Sequence, residues 1–358
     1  MKKTTLLLTG TALAVGATSA FAGSITAVSW GGAYTKSQIE AYHKPWTAAT
    51  GNVVVSEDYS GGIAEVKAQV DAGNVTWDII DVEKSDAVRG CDEGLFMEID
   101  PSTLPAGADG TPAEEDFVGG SFTDCAVANI VWSTIFAYDK SAMPNGPKTI
   151  ADFFDTTKFP GKRGLRKNPK ANLEMALIAD GVPAAEVYDV LSTPEGVDRA
   201  FAKLDTIKDQ VVFWEAGAQP PQLLADGEVV MTTAYNGRIF NAAAGEGKPF
   251  AVNWDGQILD FDLWVIPKGA PNKEAALDFL AFSTDTQRLA DQASWISYGP
   301  ARKSSGPLVG LFNDGKTEMA PHMPTAATNL ETALVNNFEF WADNQDELNE
   351  RFNAWLAN

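Results

Sequence analysis

Between Ser24 and Val82 the chain alternates short apolar runs with stretches in which apolar residues recur every three or four positions. This alternation restricts the fold more than any other feature. Residues 25–29 read as a strand, followed by a turn at Gly31-Gly32 and a helix over 35–49 with Ile39, Tyr42 and Trp46 on one face. Gly51 ends that helix, 52–57 is rich in β-branched residues, Gly61-Gly62 opens a second helix through Ile63, Val66 and Val70, and 77–82 is a third strand. A β-α-β-α-β succession implies a parallel sheet with helices on both faces. Ligands of such sheets bind at the carboxyl ends of the strands. The loops at 29–34, 57–62 and 83–86 are therefore the expected place for a site.

A second α/β unit follows the apolar run 128–138. It comprises a helix at 150–154, a turn at Pro160-Gly161, a long helix at 172–180, a strand at 211–214, a helix at 220–225 and a strand at 229–234. A further strand at 259–267 leads to a helix over 272–283 with Ala276, Phe279 and Leu280 inward. No fixed-period repeat or low-complexity tract interrupts the chain. Single cores stop growing near 250–300 residues, so a chain of this length is expected to divide into two lobes. The stretches near 130–138 and 259–267 are the expected crossings between them.

Lys2 and Lys3 precede an apolar stretch from Leu6 to Val15 that ends in Ala20-Phe21-Ala22, the pattern of a secretory signal peptide (residues 1–22) cut after Ala22. The apolar run is shorter than the roughly 20 residues that span a bilayer. No cysteine stands at the new N-terminus, so a soluble periplasmic protein is expected. Loss of the leader leaves 25 basic against 48 acidic groups, a net charge of −23, which makes nucleic acid a poor partner. In an oxidising compartment the two cysteines, Cys91 and Cys125, are expected to form one disulfide inside the first lobe. With only His43 and His322 besides, no pair has metal-ligand spacing, and neither a metal nor a cofactor is expected. His43, next to Lys44-Pro45, reads as a helix-end residue.

Several stretches, in order, resemble the polyamine-type substrate-binding proteins of ABC importers. They are Ser29-Trp30, Trp77-Asp78-Ile79-Ile80 with Glu93-Gly94-Leu95, Phe159-Pro160-Gly161-Lys162-Arg163-Gly164, the run from Leu224 to Val229, Tyr235-Asn236-Gly237, and Ile266-Pro267-Lys268-Gly269-Ala270. The resemblance covers nearly the whole mature chain. It implies the two-lobed periplasmic-binding-protein fold of type II, an α/β architecture with the ligand in the cleft. Lobe 1 is then 23–135 plus about 263–303, and lobe 2 is 138–258 plus about 305–358. It also implies a membrane permease as partner and a monomeric binding protein; a role in reporting ligand to a chemoreceptor or sensor is the alternative of another class.

Carried over position by position, the resemblance puts Trp30, Tyr34, Tyr235 and Tyr298 on the aromatic walls of the pocket. Trp46, Trp132, Trp264 and Trp355 are expected to pack in the core instead. An acid for a ligand amine falls on Asp262, while Asp260 falls on an aromatic position of the family; only one of the two is expected to face the cleft. Where polyamine binders hold a further amine with acids, this chain has Asn168 and Ala171. Nearby Arg166, Lys167 and Lys170 are expected to form an exposed basic loop, and Arg238 to contact ligand. An arginine matches a carboxylate with two parallel hydrogen bonds. The expected solute is thus a zwitterionic ω-amino acid such as γ-aminobutyrate, with putrescine or spermidine as the alternative. No nucleophile elbow, P-loop or dinucleotide fingerprint occurs, so no enzyme is expected.

Overall fold

The fold is described from a computed structural model covering residues 23–357. The expected leader and its cleavage point lie outside the described residues. The strands are β1 Ser24–Ser29, β2 Val53–Asp58, β3 Ile79–Glu83, β4 Phe122–Thr123, β5 Ala126–Asp139, β6 Arg163–Arg166, β7 Val211–Trp214, β8 Met231–Tyr235, β9 Phe250–Val265, β10 Gly299–Pro300 and β11 Leu334–Val335. The main path of the sheet runs β2-β1-β3-β9-β5-β8-β6-β7. Each end is parallel, as the βαβ pattern requires, but the two middle strands run against their neighbours: β9 is antiparallel to β3 and to β5, and β5 is antiparallel to β8. The parallel pairing expected from the alternation over 24–82 is present in β2-β1-β3, and two long strands returning across the middle make the sheet as a whole a mixed one.

Those two strands are the expected crossings. The Asp262–Val265 end of β9 sits between β3 and the start of β5, whereas the Thr134–Tyr138 end of β5 lies against β8. β9 begins nine residues earlier than the sequence suggests, since Asn253, Asp255 and Gly256 break its apolar pattern while its backbone still pairs with β5. The ladder between β5 and β9 shifts register at Ala128/Ile130 and at Thr134/Phe136. Such irregularities let a long pair of strands bend.

Two apolar cores lie on either side of this crossing. The first gathers Ile25, Val28, Tyr42, Trp46, Ile80, Trp264 and Phe279. The second gathers Phe136, Phe153, Leu173, Leu177, Phe201 and Trp341, the last from the helix Phe338–Ala357. Cys91 and Cys125 are bridged, with Cα atoms 5.7 Å apart, and tie the helix Lys84–Asp92 to the region of β5 beside the first core. The helix expected over 35–49 is present as an α-π-α succession, Gly32–Gln38, Ile39–His43 and Lys44–Thr50. Pro45 has no N–H to close an α-helical bond, which favours the wider turn ahead of it. His43 is therefore inside a continuous helix and not at its end; it is buried, with its ring 5.6 Å from Phe279. Among the described residues no helix is long and apolar enough to cross a membrane.

Candidate functional site

Between the two cores stands a third cluster made almost wholly of aromatics: Tyr34, Trp132, Trp214, Tyr235 and Tyr298, with Ile130 and Ile296. It borders a small cavity lined by Trp30, Tyr34, Glu83, Trp132, Tyr235, Arg238, Asp262 and Tyr298. Every wall comes from a strand end or from the crossing. Trp30 and Tyr34 follow β1, Glu83 ends β3, Tyr235 ends β8 with Arg238 in the next helical turn, and Trp132 and Asp262 lie on β5 and β9.

Two glycines permit the close approaches. Gly61, at φ +90°, faces the Trp30 ring, and a Cβ there would lie 2.5 Å from it; Gly32, at φ +59°, would put a Cβ 2.8 Å from Arg238 Nη1. The rings brace one another edge to face, Tyr34 against Tyr298 at 5.3 Å and Trp132 against Tyr235 at 4.9 Å between centroids. Such contacts fix ring orientation as well as burying area.

The charges are arranged unequally. Asp262 accepts a hydrogen bond from Trp132 Nε1 at 2.7 Å, and among the described residues no cation lies within ion-pairing distance of it. Burial, reinforced by Asp81, Glu83 and Asp260, holds its carboxyl well above the usual range. Glu83 is the opposite case. It accepts from Arg166 Nη1 at 2.9 Å and from Lys170 Nζ at 2.6 Å. Burial alone would raise it, but these two cations override burial and hold it at about 2. Asp81, beneath the wall, accepts from Tyr34 Oη at 2.7 Å, from Asn129 Nδ2 at 3.1 Å and from Gln38, and burial pushes it up to about 7 despite those bonds.

Arg238 is 4% exposed and makes no ion pair with a carboxylate among the described residues. Its Nη1 donates to the carbonyl of Gly31 at 2.5 Å and its Nη2 to that of Trp30 at 3.1 Å, while Nε has no partner. The guanidinium also lies beside the Tyr298 hydroxyl, and a buried guanidinium with one N–H unsatisfied and no carboxylate partner is matched by an anionic group. An enclosed aromatic box with an uncompensated acid on one wall and an uncompensated cation on another is built to hold a molecule, not to transform one.

Residues 41–325 match the family described as bacterial extracellular solute-binding protein. The chain belongs to that family. It is a binding protein, not an enzyme. A gamma-aminobutyric acid-binding protein of Pseudomonas aeruginosa is 48% identical over 334 residues, covering 93% of this chain and 91% of that protein. Among solved structures, the PBP MotA of A. tumefaciens B6 in complex with glucopine aligns at a TM-score of 0.84 and 33% identity, over 93% of this chain and 99% of that one. The Atu4243 GABA receptor aligns at 0.79 and 33%, over 93% and 98%. The two-lobed periplasmic-binding fold is that of these neighbours.

In this solute-binding protein, Trp30, Tyr34, Tyr235, Arg238, Asp262 and Tyr298 lie around one cavity, and Asp260 does not line it. The expectation that strand alternation divides Asp260 from Asp262 fails, since residues two apart share a face. Position along the strand separates them: Asp260 lies two residues before Asp262 on β9, where Lys170 and Lys84 interact with it. Trp132, expected in the core, is a cavity wall, while Trp46 and Trp264 are core residues. The exposed basic loop is corrected as well. Lys170 is buried and Arg166 nearly so, both turned onto Glu83, and of the three only Lys167 points to solvent. Glu83 stands in a loop the strand-end rule singled out, but nothing in its spacing tells that two cations of the second unit reach it.

Proposed function

We propose that this protein is the solute-binding component of an ABC importer, exported by cleavage after Ala22, and that it closes around a small zwitterionic ω-amino acid such as γ-aminobutyrate. The observation that carries the reading is the pair of ionisable groups without a partner of opposite charge, Asp262 on one wall and Arg238 on the other. The solute's ammonium lies against Asp262 within the aromatic box, where a ring face adds roughly 0.5–2 kcal/mol. Its carboxylate takes the free Nε of Arg238. A diamine would instead set its second ammonium against a guanidinium. The likeness to a gamma-aminobutyric acid-binding protein supports the same choice.

Lobe 1 (23–135 with about 263–303) carries Trp30, Tyr34 and Asp262's side of β9, and lobe 2 (138–258 with about 305–358) carries Tyr235 and Arg238. The solute bridges the two. Shifting a closing equilibrium from 1:99 to 99:1 takes about 5.5 kcal/mol of differential affinity. Two charge-assisted contacts, at about 1.5–3 kcal/mol each, come close to that. The closed monomer is then what the permease engages.

Calorimetric titration of the chain from residue 23 with γ-aminobutyrate, putrescine and spermidine tests the reading. γ-Aminobutyrate is expected to bind, and Arg238→Ala to weaken it about 10- to 150-fold. Tight binding of the diamines, with Arg238→Ala indifferent, would overturn it.

A further inference from the structure

We infer that Lys170 is a specificity-determining residue: its ammonium occupies, from within the protein, the second acid of the cavity, and so excludes solutes that carry two amines. The inference rests on the reading of the cavity proposed above.

Glu83 and Asp262 are direct partners across the β3–β9 ladder, and both line the cavity. Two carboxylates side by side on one wall are what the two ammonium groups of a diamine would seek. Only one of them is open to such a group. One oxygen of Glu83 is taken by Arg166 and the other by Lys170, whose Nζ also donates to Ser85 Oγ at 2.6 Å. Lys170 is 4% exposed and faces Asp86 and Asp260 besides Glu83, so its charge is held by several acids and does not swing out to solvent. With both oxygens of Glu83 taken by Arg166 and Lys170, the second acid of the wall has no oxygen open to a second ammonium.

The backbone supports this placement. Ala171 is the single non-glycine residue with positive φ among the described residues, at φ 67° and ψ −34°. Side-chain-bearing residues rarely adopt such a conformation, and strained backbone gathers at functional sites. The turn is fixed from both sides: Asn168 Oδ1 accepts from the Lys170 amide at 2.9 Å, and Asn172 Nδ2 donates to the carbonyls of Arg166 and Asn168 at 2.7 and 2.8 Å. Both cations leave this one loop in the direction of Glu83.

The test titrates wild type, Lys170→Met, Lys170→Arg and Glu83→Gln/Lys170→Met with putrescine and with γ-aminobutyrate, alongside thermal melts. Lys170→Met is expected to bind putrescine roughly tenfold to a hundredfold tighter than wild type does, the gain of one charged hydrogen bond. Lys170→Arg is expected to keep the exclusion. The double variant is expected to show no gain, because the freed acid is gone. Should Lys170→Met fail to fold, Lys170→Gln gives the same comparison with a hydrogen-bond donor retained. A folded Lys170→Met or Lys170→Gln that prefers γ-aminobutyrate and gains nothing for putrescine overturns this inference alone. A wild type that prefers putrescine overturns the zwitterion reading and this one with it.

Discussion

Asp262 and Asp81 are acids that burial keeps from ionising easily, and this has two measurable consequences. An ammonium at Asp262 needs the carboxylate, so a protein that holds a proton there releases it on binding. Affinity should rise with pH up to the raised value and then level off; titration in buffers of different ionisation enthalpy should show proton release near neutrality, and a heat independent of buffer would argue that Asp262 is already charged. Stability of the ligand-free protein responds the other way. Asp81 and Asp260, each pushed up to about 7, keep their protons while the unfolded chain loses its own near pH 4, so stability falls as pH rises from about 4 to about 7. Buried His43, lowered to about 4, and half-buried His322, also lowered by burial, oppose this, but Asp262, Asp86 and Glu174 are raised by burial as Asp81 and Asp260 are, and these acids outnumber the two histidines. Glu83, held at about 2, contributes stability that is lost as pH falls from about 4.5 to about 2. Thermal melts should therefore give a higher midpoint near pH 5 than at pH 7.5, and a midpoint climbing steadily across that range would contradict these shifts. Ala171→Gly should raise stability by up to about 1 kcal/mol, since glycine takes a positive φ without steric cost.

Among the elements, the bridge between Cys91 and Cys125 closes a loop across 34 positions and is expected to contribute about 3–4 kcal/mol by restricting the unfolded chain. Replacing both cysteines with serine should lower the denaturant midpoint accordingly and leave solute affinity nearly unchanged, because Cys91 stands at the far end of its helix from Glu83. An equal loss of affinity would place the bridge in the site's support. The elements also show what the sequence can and cannot tell. β1 to β3 were legible because apolar alternation and glycine turns are local signals, and the strand-end rule singled out the loops that hold Trp30, Tyr34 and Glu83, though the resemblance and not the rule named Trp30 and Tyr34, and neither named Glu83. The resemblance led to Tyr235, Arg238, Asp262 and Tyr298. The early start of β9 was hidden because Asn253, Asp255 and Gly256 resemble a loop, and the partners of Phe250–Asn253 on β5 lie more than a hundred residues away. Trp132 was hidden for a related reason. On a strand apolar along nearly its whole length, nothing local separates a wall residue from a core one, and only its partner Asp262 reveals the difference. The inward turn of Lys170 follows from its pairing with Glu83, 87 positions away, which no local pattern encodes.

Over the whole molecule, several polar contacts join the two ends of the sheet. Arg238 reaches Gly31 and Trp30, Arg166 and Lys170 reach Glu83, and Arg89 meets Asp346 in a paired contact at 2.8 Å. The last of these is exposed, so Arg89→Ala should change solute affinity by no more than about fivefold. Small-angle scattering is expected to show a smaller radius of gyration with γ-aminobutyrate than without it, and unchanged dimensions would speak against closure. The crossing strands carry one more implication, for the order in which the molecule can form. Leu259, Leu263, Trp264, Ile266 and Phe279 belong to the same core as Ile25 and Val28, more than 230 positions earlier. A nascent chain that ends before Phe250 lacks the strand both cores share, so folding waits for the final third to emerge. Such distant pairings form slowly, which leaves the polypeptide open and threadable for the interval in which a transport machine can act on it.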